Sequence, residues 1–355
     1  MNLLYFGVLA MVASSISASD IAIEAAPAPE YDAIFQQTKG WIGADGDYSV
    51  QIDDNRTLWL YSDTFVGTVQ NDKRINSTLI NNSIAIQHID NSKPVEFIYR
   101  NNSEGKPAAF ITPEDGQGYF WLFAGAATST GIYMFLTRVK PSDSDPYVPF
   151  KTFGMDLGHV TNPRDPPLKW HITQTQEPFC KFTDHGAILF GSAAMKVGSD
   201  VYIYGFDSFS RDDAGKRVSS MIVARVPEDK LGDYSFWRFY GGGNWHSNAT
   251  VCEPLFENTP TEFSVSYVPG IKQYAVVYTD GGIFGNIMVR LAPKPEGPWG
   301  EAQKVFRCPD QDWHENAFSY AVKGHPELST NPNELIVTYA TNSTEFADMF
   351  NDARL

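Results

Sequence analysis

Residues 49–63 read SVQIDDNRTLWLYSD. A short strand-like stretch enters a tight turn at Asp53-Asp54-Asn55 and leaves as the apolar run from Thr57 to Tyr61, the pattern of a β-hairpin. The unit recurs four more times. AFITPEDGQGYFWLFAG (109–125), SAAMKVGSDVYIYGF (192–206), SVSYVPGIKQYAVVYTD (264–280) and SYAVKGHPELSTNPNELIVTYAT (319–341) repeat the order of strand, turn and aromatic-rich strand. The second strands are expected to begin near Thr57, Gly118, Asp200, Lys272 and Asn333, at spacings of about 61, 82, 72 and 61 residues. Those intervals are too long for hairpins in series and suit four-stranded units joined by loops.

Three copies continue past the hairpin in the same way. IYMFLTRVK (132–140), MIVARVPED (221–229) and IMVRLAPKP (287–295) occupy matching places, and each leads to a tryptophan, Trp170, Trp237 or Trp299. The tryptophans recur in phase with the unit, so they are read as packing. The repeats argue for an all-β chain, a five-bladed β-propeller of four-stranded antiparallel blades, with a two-sheet sandwich as the poorer alternative. Runs such as TLWLY and YAVVY suit strands buried on both faces.

The composition agrees. Of 355 residues 43% are hydrophobic, 14% aromatic and 19% charged, which excludes a disordered chain. A formal net charge of −15 and no basic run exclude nucleic acid as a default partner. The first twenty residues, MNLLYFGVLAMVASSISASD, have an apolar run of about 11 residues from Leu3 and small residues after it, the pattern of a secretory signal peptide over 1–19. That run falls short of the ~20 residues a membrane span needs, and no later stretch is longer. Residues 20–34 are expected to be a Pro/Ala linker and 35–355 a single domain. Six N-x-S/T sequons, at Asn55, Asn76, Asn81, Asn101, Asn248 and Asn342, suit a secreted, extracellular glycoprotein. Cys180, Cys252 and Cys308 allow at most one disulfide. No metal-ligand spacing occurs, and no metal or cofactor is expected.

The densest chemistry lies in GWIGADGDYSVQIDDNRTLWLYSDTFVG (40–67). A hairpin centred on Asp54 places Asp45 opposite Asp63, and opposed positions have Cβ atoms about 4.5–5.5 Å apart. Two carboxylates so placed perturb each other's protonation, and glycoside hydrolysis needs such a pair, one as acid and one as base or nucleophile. Asp47, two residues after Asp45, is expected on the same face, with Trp41 as a sugar platform. Other blades offer partners at this rim. Glu262 opens the fourth hairpin as a candidate general acid, while Asp184, His325 and Glu327 are candidate substrate-binding groups. Asn82, in NNSIAI, is a candidate donor to a sugar hydroxyl.

These motifs, with GSAAMK…DVYIYG and the closing HPELS…ELIVTYATNS, resemble a family of secreted five-bladed propellers of unknown function. That family is similar to the propeller endo-D-arabinanases and, more distantly, to arabinanase and fructosidase propellers. The resemblance implies catalysis by two first-blade aspartates, at Asp45 in GADGDY and Asp63 in SDTF, on an arabinan-type polysaccharide. It leaves open which is the acid. The expected protein is a monomer acting on a polysaccharide or glycan; the alternative is a non-catalytic carbohydrate-binding or adhesion propeller. A metal-dependent phosphoesterase is poorer, for want of a dominant Asp/His spacing.

Overall fold

The computed structural model describes residues 9–17, 20–90, 92–143, 149–211, 214–312 and 314–355. Almost all regular structure in them is antiparallel β. The first sheet runs Tyr48–Gln51, Arg56–Tyr61, Ser83–His88 and Glu96–Ile98. The second runs Tyr119–Thr128, Gly131–Pro141, Phe150–Val160 and Ile172–Gln176. Gly186–Val197, Asp200–Asp207, Ser220–Pro227 and Arg238–Gly241 form the body of the third, with short strands added at both edges. The fourth is Phe263–Val268, Gln273–Thr279, Asn286–Ala292 and Gln303–Arg307. In the fifth, Ala317–His325 and Glu334–Ser343 are followed outward by two strands from the other end of the chain, Leu9–Ser17 and Asp20–Pro27.

In each of the five, neighbouring strands pair antiparallel. One strand of each of the five, its inner strand, lines a shared cavity of about 450 Å³, which takes residues from Tyr48–Gln51, Ala124–Ala127, Ala193–Lys196, Phe263–Tyr267 and Lys323–Gly324. Second strands are buried on both faces: Thr57 to Tyr61 and Ala275 to Thr279 contain no exposed residue. This is why they read as continuous apolar runs rather than alternating ones. Trp237 is fully buried and Trp170 nearly so, each just ahead of the fourth strand of its sheet.

Two expectations need correction. GYFWLFAG, read as the second strand of its hairpin, is the first strand of the second sheet, and IYMFLTRVK is the second. The AFI before it is not a ladder strand; Phe110 and Ile111 are buried by hydrogen bonds to Asn82. Residues 20–34, read as a linker, form the strand Asp20–Pro27 and the helix Pro29–Phe35, which buries Phe35 against Trp59 at 4.7 Å. The three cysteines are free thiols. A three-stranded sheet, Lys39–Ala44, Thr64–Gln70 and Lys73–Ile80, rises beside the first sheet and carries the chain past Asp45 and Asp63.

Candidate active site

The first hairpin has the register its sequence implies. Tyr48 pairs with Leu60 and Gln51 with Thr57, both centred on position 54. Beyond Tyr48 the ladder is broken but the strands stay together, with the Asp45 amide donating to Asp63 O at 3.1 Å and the Ser62 amide to Asp45 O at 2.9 Å. Two residues, Ser62 and Asp63, thus face one, in the manner of a β-bulge. Gly46 at φ +89° and Asp47 at φ +40° make the turn. A Cβ at Gly46 would stand 3.0 Å from the Ser62 amide nitrogen, so GADGD needs its glycine here.

The inner strands of three other sheets slip at a comparable place, between Leu122 and Gly125, Phe190 and Ala193, and Tyr320 and Lys323. Bulges re-aim side chains at the ends of strands. In the fifth sheet the slip, with Ala321 at φ +55°, sends both Tyr320 and Lys323 toward the first sheet.

Asp45 and Asp63 line one pocket of about 70 Å³, with Phe65, Arg74 and Tyr320 among its other walls. Asp45 Oδ2 accepts a 2.5 Å hydrogen bond from the Tyr320 hydroxyl, which also receives one from Asn342 Nδ2 at 3.3 Å. Asp45 Oδ1 is buried without a hydrogen-bond partner. Burial, then the charges of Asp63 and Glu262, push Asp45 well above the usual carboxylate range, against the Tyr320 bond. Asp63 is pushed up by burial to about 6, while the Trp121 indole N–H, at 2.9 Å from Oδ1, and Asn81 hold it down. One carboxyl has a bare oxygen on which to carry a proton; the other has donors that favour its anion. Two acids are pushed apart in strength by what surrounds them.

The remaining candidates divide. Asp47 is 1% exposed and turned from the pocket, accepting a hydrogen bond from the Thr338 hydroxyl. It is therefore a buried member of the cluster and not a substrate-binding group. Glu262 acts electrostatically on Asp45 and Asp47, is ion-paired with Lys323 at 3.0 Å, and lies outside the pocket lining. Trp41 is 2% exposed and stacked on Phe97 at 4.2 Å, a core residue and not a sugar platform. Asn82 is fully buried, its amide nitrogen on Ile111 O and Phe120 O and its oxygen on the Ile111 amide, so nothing remains for a sugar. Asp184 sits on the exposed hairpin tip between Lys181–Thr183 and Gly186–Val197, outside the pocket lining. His325 is fully buried between Ser49 and Thr338, and Glu327 borders the cavity shared by the five sheets; neither lines the pocket.

Four site residues escaped the sequence reading. Tyr320 and Lys323 lie in a hairpin read only for His325 and Glu327, though a lysine inside the otherwise apolar SYAVKG was a signal. Asn81 and Asn342 were read as sequons. One bonds Asp63 and the other Tyr320, so both amides take part in the hydrogen bonding of the site. The exposed sequon asparagines are Asn76, Asn101 and Asn248; Asn55 is half-buried, its Oδ1 on the Asp90 amide. The last turn of the chain closes one side of the pocket with Met349, Arg354 and Leu355, held by buried Arg74 through the carbonyls of Met349, Asp352, Ala353 and Leu355.

The family model of a domain of unknown function, DUF5005, matches residues 28–355. The chain belongs to this family. No curated protein matches it. Among solved structures, the DUF5005 chain is similar to a provisionally assigned hydrolase from Bacteroides ovatus, at 18% identity and a TM-score of 0.70, over 97% of this chain and 90% of that one. This likeness shows the fold. The chain also matches a GH43_1 enzyme from Xanthomonas citri solved with xylotriose, at 12% identity and a TM-score of 0.45, over 88% and 93% of the two chains. A GH43 β-xylosidase/α-arabinofuranosidase from a compost metagenome matches at 13% identity and 0.43, over 87% and 92%. Among the described residues no helix is long and apolar enough to cross a membrane.

Proposed function

We propose that this chain is a secreted glycoside hydrolase, built as a five-bladed β-propeller, that cleaves a furanoside-containing polysaccharide of the arabinan type. The observation that carries the reading is the pair of rim carboxyls in one pocket, Asp45 with an unpartnered oxygen and Asp63 with two donors. Asp45 is the general acid that protonates the leaving oxygen. Asp63, the anion, activates water or attacks the anomeric carbon. Tyr320 and Trp121 orient the two carboxyls and lie on the fifth and second sheets, so the site depends on the ring being assembled. The arabinan-type substrate rests on the resemblance of the sequence to endo-D-arabinanases. The protein is taken to work as a monomer, with residues 1–19 removed on secretion. That removal would take the strand Leu9–Ser17 with it and open the edge of Glu334–Ser343 that it covers.

Incubation with arabinans, fructans and arabinoxylans tests the reading. New reducing ends are expected from at least one furanoside polymer, whereas glycan binding without cleavage of any would replace it with the non-catalytic alternative. The two acids carry a second expectation. Activity requires Asp63 ionised and Asp45 protonated, so kcat/KM should rise as pH increases through about 6 and fall at higher pH as Asp45 loses its proton. A rate that is flat between pH 4 and 8 would contradict the assignment of roles.

A further inference from the structure

A second line of polar groups runs from the site into the ring, and the two-carboxyl reaction leaves it unused. Asp47 Oδ2 touches the Thr338 hydroxyl, Thr338 Oγ1 lies 2.8 Å from His325 Nε2, and His325 Nδ1 lies 2.7 Å from Ser49 Oγ. Ser49 in turn reaches the carboxyl of Glu327, whose Oε1 is buried without a hydrogen-bond partner. Asp47, Thr338 and His325 are at most 1% exposed. Ser49 and Glu327, at the far end, line the shared cavity.

Proton counting constrains this chain. A hydroxyl has one proton to donate, and a neutral imidazole has one N–H and one acceptor nitrogen. His325 is neutral, because burial and then the Lys323 charge push it down to about 3. Two arrangements satisfy the contacts with every proton pointing one way. In one, Glu327 is a neutral acid facing Ser49, Ser49 donates to Nδ1, Nε2–H donates to Thr338, and Thr338 donates to an ionised Asp47. In the other every bond is reversed: Asp47 is the neutral acid, the ring proton sits on Nδ1, and Glu327 is the anion. The two differ by the position of one proton.

We propose that Asp47 and Glu327 are the ends of a proton wire through Thr338, His325 and Ser49 and share one proton, so that a group facing the shared cavity sets the charge of the aspartate beside Asp45. In the transfer Glu327 gives its proton to Ser49 Oγ as Ser49 gives its own to His325 Nδ1. At the same time Nε2–H passes to Thr338 and the Thr338 proton to Asp47. One O–H bond breaks at Glu327 and one forms at Asp47, the ring changes tautomer without becoming an imidazolium, and no electrons are exchanged. Around Asp47 the charged and titratable neighbours are Lys323, Glu262, Asp45, Tyr48 and Tyr61; around His325 the charged one is Lys323. Lys323 favours the arrangement with Asp47 ionised. Only the effect on Asp45 as an acid rests on the glycosidase reading, and the wire itself can be tested without substrate.

The test is an NMR titration of the full chain, following the Asp47 carboxyl carbon and the His325 ring nitrogens. Glu327→Gln removes the other seat for the charge and is expected to lower the Asp47 midpoint by about one pH unit or more, the size at which two sites titrate as a coupled pair. In a Thr338→Val background the same substitution should leave the midpoint in place, and in a Thr338→Ser background, where the hydroxyl is restored, the shift should return. His325 should stay neutral between pH 5 and 8, with its proton on Nε2 in Glu327→Gln. The proposal is overturned by equal shifts with and without the Thr338 hydroxyl, by no shift in any background, or by an imidazolium in that range. If Thr338→Val does not fold, Ser49→Ala cuts the same chain on the other side of the ring and carries the same expectations.

Discussion

Asp63→Asn is expected to lower the rate of glycosidic cleavage by about 10²–10⁴-fold, the range that one positioned acid or base contributes. The substitution removes the charge and the basic oxygen, and replaces one of the two acceptors that Trp121 and Asn81 share with an NH2 group, which the Asn81 amide can meet by turning its own oxygen toward it. An asparagine oxygen still accepts from the Trp121 indole, whose bond to Asp63 is 2.9 Å, so the side chain stays where it is. The variant also loses a carboxylate that burial already strains, and its melting temperature should match or exceed that of the parent. Loss of turnover with intact folding and substrate binding therefore separates chemistry from structure. Reducing-end release measured beside a thermal melt decides the matter, and a variant as fast as the parent would remove Asp63 from the mechanism.

The second large effect is on stability. Lys323 is 1% exposed, pairs with Glu262 at 3.0 Å, and lies over the Tyr48 ring at 4.4 Å. Its charge also counters the burial of Asp47. Lys323→Met keeps most of the volume and leaves Asp45, Asp47 and Glu262 with no cation among them. Breaking a buried pair from one side costs about 3–5 kcal/mol, and Glu262 keeps part of its side chain in water, so the lower end is expected here. At roughly 2 °C per kcal/mol for a chain of this length, the melting temperature should fall by about 6 °C or more at pH 7.5.

The sign of the pH dependence is a further check. In the folded parent Asp47 has its midpoint raised to about 6 even with Lys323 present, and removing the cation raises it further. A group raised on folding contributes stability that is present at low pH and lost as pH rises through the folded midpoint. The deficit of Lys323→Met should accordingly shrink as the pH is lowered from 7.5 to 4.5. A deficit that stayed constant over that range, by calorimetry, would mean that Lys323 acts through packing alone.

The register of the first hairpin could be read from its turn, and with it the meeting of Asp45 and Asp63. The side-chain period of a strand is two, so one correctly placed turn fixes every opposed pair above it. The second sheet was out of phase because AFI and YFWLF are both short apolar runs, and only the loop bonds of Asn82 show which of them joins the ladder. Tyr320 and Lys323 were hidden for a related reason. Between them the strand slips by one, and a bulge reverses the face that simple alternation assigns. Trp41 misled because an aromatic near acids serves a sugar site or a core equally well by sequence, and its stacking on Phe97 is a long-range fact. Asn81 and Asn342 were hidden by their own motif, since a sequon says nothing of whether the amide is exposed.

In the unprocessed chain the last sheet is finished by the first of the described strands: Met11 pairs with Leu335, more than 300 residues away. Loop closure over such a length costs only logarithmically more than over a short one, so equilibrium stability is scarcely affected. Timing is affected. At roughly 5–20 residues per second on the ribosome, the segment that covers Glu334–Ser343 waits on the order of 15–60 s for its partner to be made. For that interval it is an open strand edge in search of a neighbour, the kind of surface through which chains pair with one another. Yield in a heterologous host should then depend on how well that waiting segment is shielded, and adding chaperone during synthesis should help more than adding it afterwards.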